Sequence, residues 1–212
     1  SDIIKPIEIE DLLGRDSVPP DKTLIKTGIF NKSICITGAG GSIGSELLVQ
    51  LSRISKKKIV CLDHSELSLY NLKKNLEINT SKVKFILGSI TDYKFIENVI
   101  KKENIDQIYH TAAYKHLNIL ENNIITAVKN NIIGTLNIIE GIKNSKKYIK
   151  MINISTDKAA KPKSILGITK RIAEIICEKY KEKSKNKFDI SNVRFGNVFA
   201  SQGSAINLFL EK

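Results

Sequence analysis

The stretch Thr37-Gly38-Ala39-Gly40-Gly41-Ser42-Ile43-Gly44 decides the fold. It follows a short apolar run and opens a segment of helical period carrying Glu46, Leu47, Leu48 and Leu51. Glycine is needed where a backbone turns tightly, approaches a pyrophosphate closely and lets a helix pack on a strand. The helix N-terminus adds N–H donors and the positive end of its dipole. A glycine pattern alone says little. Between a strand and a helix it reads as a dinucleotide cradle, with Gly38, Gly41, Ser42, Ile43 and Gly44 as cofactor-binding residues.

The next apolar run ends in Cys61-Leu62-Asp63, placing Asp63 roughly 20 residues beyond the last glycine. That is the spacing of the carboxylate that binds the adenosine ribose hydroxyls. A carboxylate there repels a 2′-phosphate, so NAD is favoured over NADP. His64 reads as a neighbouring loop residue.

Working outward, apolar runs rich in Ile and Val alternate with longer segments of helical period. Strands are expected at 33–37, 58–62, 82–87, 107–110, 149–154 and 189–193. Helices are expected at 42–54, 66–76, 94–103, 124–143 and 165–183. This is the signature of an α/β fold with a doubly wound parallel sheet of Rossmann type. Residues 31–212 form the expected NAD-binding domain. Residues 1–30 form an irregular prelude with a short helical stretch at 9–13. The chain ends soon after the sixth strand, so the C-terminal substrate cap is expected to be largely missing and the domain truncated before its substrate-binding part.

With 212 residues, 42% hydrophobic and 26% charged, the chain has enough apolar material for one buried core and is neither disordered nor fibrous in composition. The formal charge of +12 raises the question of nucleic acid. Arginine occurs only at Arg15, Arg53, Arg171 and Arg194, and the lysines are scattered along the sequence. Phosphate and base readers lean on arginine forks, so no nucleic-acid partner is expected, while a modest pull toward an anionic ligand or membrane surface stays open. Cys35, Cys61 and Cys177 are too few and too widely spaced for a disulfide framework or a zinc site, and no metal is expected. No apolar stretch reaches the roughly 18 residues of a membrane span, and residues 1–10 carry no signal-peptide pattern. A cytoplasmic location is expected.

Three further segments lie where strands four, five and six should end, the edge at which this fold places its chemistry. They are His110-Thr111-Ala112-Ala113-Tyr114-Lys115-His116, Ser155-Thr156-Asp157-Lys158 and Arg194-Phe195-Gly196-Asn197-Val198. Small Ala112 and Ala113 allow a dinucleotide to pass close to the strand end. Taken with Leu12-Leu13-Gly14-Arg15, Leu62-Asp63-His64-Ser65-Glu66, Asn131-Ile132-Ile133-Gly134-Thr135 and Gly167-Ile168-Thr169-Lys170-Arg171, these segments resemble the extended short-chain dehydrogenase/reductase superfamily. Within it, the sequence is similar to the capsular-polysaccharide type of nucleotide-sugar 4,6-dehydratase, which acts on UDP-N-acetylglucosamine.

The resemblance implies a lyase that uses NAD to dehydrate UDP-N-acetylglucosamine to a UDP-4-keto-6-deoxy sugar for surface polysaccharide synthesis. Asp157 would be the acid at C6, Lys158 the base at C5 and Lys170 the holder of the nicotinamide ribose. Thr156 is the candidate to hydrogen-bond the sugar 4-oxygen. Lys115, His116 and Asn197 are candidates for the substrate, with Arg194 a second candidate for the UDP phosphates. Asn131 is a candidate for ordering the active site. The chemistry needs tuning: burial is expected to raise the pKa of Asp157, and burial with the nearby Lys170 cation to lower that of Lys158.

The sequence departs from the superfamily at Leu166, where a tyrosine normally precedes the lysine by one helical turn; Leu166 accepts no proton, and Tyr114 is a candidate substitute. Ser89 and Asn207 are further departures. The resemblance also implies pairing of subunits, and for the full-length protein a membrane anchor outside this chain, at the cytoplasmic face of the inner membrane. The alternatives are a nucleotide-sugar 4-epimerase, which needs no acid at C6, and a non-catalytic NAD-binding domain.

Overall fold

A computed structural model of the chain describes residues 21–76 and 80–196. Six strands form one sheet: β1 Ile34–Thr37, β2 Ile59–Asp63, β3 Val83–Leu87, β4 Gln107–His110, β5 Lys150–Thr156 and β6 Asp189–Phe195. Every pairing is parallel, in the order β3-β2-β1-β4-β5-β6. This is a Rossmann-type fold. The order reverses between β1 and β4, which opens a crevice at the C-terminal ends of those strands.

The helices are α1 Lys22–Ile29, α2 Ser42–Ile54, α3 Glu66–Lys74, α4 Tyr93–Lys102, α5 Leu117–Leu120, α6 Ile124–Val128, α7 Gly134–Asn144 and α8 Ile165–Lys183. They cover both faces of the sheet. On one face Cys35, Val60, Ile108 and Met151 pack with Ile96, Ile100, Ile138, Ile142 and Cys177. On the other, Ile34, Ile36, Ile59 and Cys61 pack with Ile29, Leu48, Leu51, Leu69 and Leu72. Neighbours along β1 thus face opposite ways, and both directions are dry. That is why these strands are unbroken apolar runs rather than alternating ones. Each fully buried Ile or Leu contributes about 1.5–3 kcal/mol over its exposed state.

Several features differ from the sequence reading, among them the short helix α5. The end of the expected prelude is helix α1, held at its start by Asp21, whose Oδ1 accepts from the Thr23 and Leu24 amides at 2.9 and 3.0 Å. Ile25 and Ile29 fasten it to the second core. The expected helix over 9–13 lies outside the described residues. Another difference interrupts the helix expected over 124–143: a π-helical turn, Lys129–Ile133, separates α6 from α7. β5 and β6 also run two residues further than expected, carrying Thr156 and Phe195 to the rim of the crevice.

Candidate active site

The crevice is a cleft of about 990 Å³. Its first wall is the glycine turn. Gly38 has φ +69°, and a Cβ there would lie 2.6 Å from the Ala112 Cα. A Cβ on Gly44 would lie 2.3 Å from the Gly38 carbonyl oxygen. Only glycine therefore lets the turn close on β4 and the helix close on the turn. Gly41 caps α2 without any side-chain acceptor, and Ser42, Ile43 and Gly44 of the first helical turn line the cleft.

Asp63 ends β2 as expected, but its carboxylate does more than await a ribose. Oδ2 accepts from the Gly40 amide at 3.0 Å and Oδ1 from the Ser65 amide at 3.0 Å. His64 Nδ1 also lies 3.4 Å from Oδ1; a carboxylate offers about four lone-pair sites, so acceptor capacity remains for a ribose hydroxyl. Ala112 and Ala113 line the floor, Lys115 and His116 the outer lip. The Tyr114 ring meets His64 edge-on with centroids 5.8 Å apart.

Behind this wall runs a buried chain of polar groups. His110 Nδ1 lies 2.8 Å from Thr37 Oγ1, and its Nε2 lies 2.9 Å from Thr135 Oγ1. Thr135 gives its hydroxyl hydrogen to the Asn131 carbonyl at 2.8 Å. It must therefore accept from Nε2–H, which fixes the neutral tautomer and makes Thr37 the donor to Nδ1. Burial, with a contribution from the Lys170 charge, pushes the His110 pKa down to about 3. Asn131 continues the chain: Oδ1 accepts from the Tyr114 amide, while Nδ2 donates to the Tyr114 carbonyl and to Thr169 Oγ1. One amide side chain thus fixes both the Tyr114 loop and the residue beside Lys170.

The opposite wall carries Thr156 and Lys158. Thr156 Oγ1 donates to Asp157 Oδ1 at 2.9 Å, and Lys158 Nζ reaches the same oxygen at 3.3 Å. The expected burial of this pair is not observed. Asp157 and Lys158 side chains are 57% and 39% exposed, and the Thr156 hydrogen bond outweighs desolvation, holding the Asp157 carboxyl below its ordinary range. These groups close a strand that opens to solvent, so desolvation of Asp157 would have to come from substrate.

Lys170 behaves differently. It is 4% exposed and lines the cleft, with no hydrogen-bond or ion-pair partner among the described residues. Burial lowers its pKa to about 8. Leu166, one turn earlier, also lines the cleft and packs on Leu120 and Ala127, so an apolar side chain occupies that position. Arg194 is not available as a phosphate ligand. Its guanidinium is held by Glu174, with Nε at 2.8 Å and Nη2 at 2.7 Å. Asn197 lies outside the described residues. No cluster of His, Cys, Asp or Glu fit to hold a metal ion occurs among the described residues.

The residues fit a dinucleotide. A glycine cradle meets a helix start, a carboxylate stands at the end of β2, and a buried ammonium without a partner faces the cleft where the nicotinamide ribose would lie. Two contributors escaped the sequence reading: His110 as a buried strut and Glu174 as the anchor of Arg194. Asn131, a candidate there for ordering the site, is a two-sided clamp. A family model described as "Polysaccharide biosynthesis protein" matches residues 34–212. The chain belongs to this family.

Among its relatives are the capsular polysaccharide biosynthesis protein CapD of Staphylococcus aureus, 41% identical over 209 residues, covering 97% of this chain and 35% of that protein. The probable polysaccharide biosynthesis protein EpsC of Bacillus subtilis is 40% identical over 211 residues, covering 97% of this chain and 34% of its own length. The chain thus spans about a third of these family members. Among solved structures, Pen from Bacillus thuringiensis superposes with a TM-score of 0.81 at 29% identity, over 86% of this chain and 56% of that one. The Bordetella bronchiseptica enzyme WbmF, solved in complex with NAD+, has a TM-score of 0.68 at 19% identity over 81% of this chain and 52% of its own, a likeness of fold. No described helix is long and apolar enough to cross a membrane.

Proposed function

We propose that the chain is the cofactor-binding part of an NAD-dependent 4,6-dehydratase that converts UDP-N-acetylglucosamine to a UDP-4-keto-6-deoxy sugar for surface polysaccharide synthesis. The observation that carries this reading is the Thr156-Asp157-Lys158 string, joined by hydrogen bonds of 2.9 and 3.3 Å, with Thr156 and Lys158 lining the cleft that also holds Lys170. The chemistry that NAD supplies when bound is hydride storage, from C4 of the sugar and back to C6.

The protein residues account for the protons. Thr156 Oγ1 already gives its hydrogen to Asp157, so it meets the sugar 4-hydroxyl as an acceptor. Passing the O4 proton through Thr156 protonates Asp157, which starts as a carboxylate because its pKa is held low. Once C4 is a carbonyl, the C5 proton is acidic, and Lys158, acting in its neutral amine form, takes it. Asp157 then protonates the departing C6 hydroxyl, which leaves as water. Lys158 returns its proton to C5 as hydride arrives at C6, and one water is lost overall. Lys170 holds the nicotinamide ribose, and Leu166 closes that side of the cleft without taking part in proton transfer.

A 4-epimerase is the second reading, favoured by the UDP-glucose 4-epimerase of Rickettsia prowazekii, 31% identical over 189 residues, covering 86% of this chain and 53% of that protein. Incubating the full-length protein with UDP-N-acetylglucosamine and NAD, and following the product by mass spectrometry, separates the two. Loss of one water supports the dehydratase; an isobaric product overturns it in favour of the epimerase.

A further inference from the structure

The lysines that look scattered in the sequence are gathered by the topology. In an all-parallel sheet every strand begins at one edge, and here that edge lies opposite the cleft. Each loop or strand start along it carries lysine: Lys32 before β1, Lys82 before β3, Lys102 before β4, Lys146 before β5, Lys150 at the head of β5 and Lys187 before β6. All six are exposed, and none has a carboxylate within ion-pair distance among the described residues.

The described acids of these loops are already matched. Glu103 is held by Lys58 and Lys84 at 2.6 and 2.7 Å, Asp106 by Lys147 at 2.6 Å, and Asp189 by Lys181 at 2.8 Å. The rim therefore holds much of the uncompensated part of the chain's +12 charge. We propose that this lysine rim docks the domain on an anionic phospholipid surface, with the active-site cleft facing away from it.

Three observations favour a bilayer. First, the row is wide: six strands at about 4.8 Å spacing make an extended edge rather than a groove. Second, apart from Arg53 at the end of α2, its cations are lysines. These are compact, hydrated point charges suited to diffuse attraction; arginine forks and stacked aromatics serve nucleic acid. Third, Tyr148 stands between Lys147 and Ile149 with 58% exposure, an amphipathic ring at the level where headgroups would lie. Local backbone needs do not explain the charge. Lys146 and Lys185 occupy positive φ, +55° and +49°, where a helix end favours glycine or asparagine.

The test is co-sedimentation of the chain with phosphatidylcholine vesicles, with and without a third of phosphatidylglycerol, at low and at molar salt. Binding that needs phosphatidylglycerol and disappears in salt is expected. The triple variant Lys82→Glu, Lys102→Glu, Lys146→Glu should weaken it by at least about a hundredfold, with circular dichroism confirming an unchanged fold. The pair Lys161→Glu, Lys163→Glu, in the loop between β5 and α8, should leave binding within a few fold. In the unaltered chain, hydrogen exchange should slow at 56–58 and 146–150 on adding vesicles, a readout that survives if the triple variant fails to fold. No binding, equal binding to neutral vesicles, equal loss in both variants, or duplex DNA stripping the chain from vesicles would overturn the proposal.

Discussion

Glu174 on α8 receives Arg194 of β6 through two parallel hydrogen bonds, 2.8 Å from Nε and 2.7 Å from Nη2, and Arg171 adds a third at 3.0 Å. The carboxylate is 1% exposed. Burial alone would raise its pKa, but the two guanidiniums overcome that and hold it at about 2. This pair fixes the sixth strand against the helix that carries Lys170, and it removes Arg194 from any role at a phosphate.

Glu174→Gln should therefore destabilise the chain by about 1–3 kcal/mol, because the buried carboxylate's charge-assisted hydrogen bonds are lost while both guanidiniums stay within reach of water. Urea unfolding at neutral pH measures this. Since the folded pKa lies below the ordinary value, the stabilisation is complete above about pH 4.5 and is lost as pH falls toward 2. The variant should lose that acid-side slope along with the stability.

His110 adds a second acid-side effect in a higher window. Its folded pKa of about 3 lies below the ordinary 6.5, so the unfolded chain binds the extra proton between those values, and stability falls as pH drops from 6.5 toward 3. His110→Leu should abolish that slope. At pH 7 it should cost about 1–3 kcal/mol by stranding the buried Thr37 hydroxyl. Thermal unfolding from pH 4 to 7 checks both halves.

Lys170→Met tests a buried cation without a partner. With a folded pKa of about 8 against 10.5, the folded chain carries a penalty of up to about 3 kcal/mol at neutral pH, relieved as pH rises through that interval. The variant should melt higher than the native chain at pH 7, with the gap narrowing toward pH 10. Its NAD affinity, measured by calorimetry, should fall at least about tenfold if the ammonium holds the ribose.

Asp157→Asn in the full-length protein should reduce dehydration by about 10²–10⁴-fold while leaving NAD affinity within twofold, because Asp157 touches Thr156 and Lys158 rather than the glycine turn. Product mass and a cofactor titration together decide it. Unchanged turnover would count against Asp157 as the acid at C6.

Asp63→Ala should weaken NAD binding more than loss of a ribose contact alone, since the carboxylate also anchors the Gly40 amide. It should not create NADP preference, because the loosened turn handicaps both cofactors. Parallel titrations with the two dinucleotides measure this.

The sheet was legible because burial on both faces leaves uninterrupted apolar runs, and the cradle because glycines at Gly38 and Gly44 answer steric demands that no other residue meets. Helix α1 was missed since it is only eight residues long and follows the Pro19-Pro20 pair, and Asp21 becomes a cap only when the following amides turn toward it. The Glu174–Arg194 pair joins different elements, and nothing local marks either residue as the other's partner. The exposure of Asp157 could not be read either: an acid at a strand end is buried or wet according to what covers it. The Lys-rich loops looked scattered because sequence order hides that strand starts share one edge.

The π turn at Lys129–Ile133 has its own implication for how this molecule tolerates change. Such a turn is one residue wider than the α turn it replaces. Deleting a single residue there would restore an unbroken helix while keeping α6 and α7 in phase with their neighbours. The Asn131 amide, by contrast, would swing by about 100° and release Tyr114. Architecture and site geometry are thus written into the same helix but are separable by one codon.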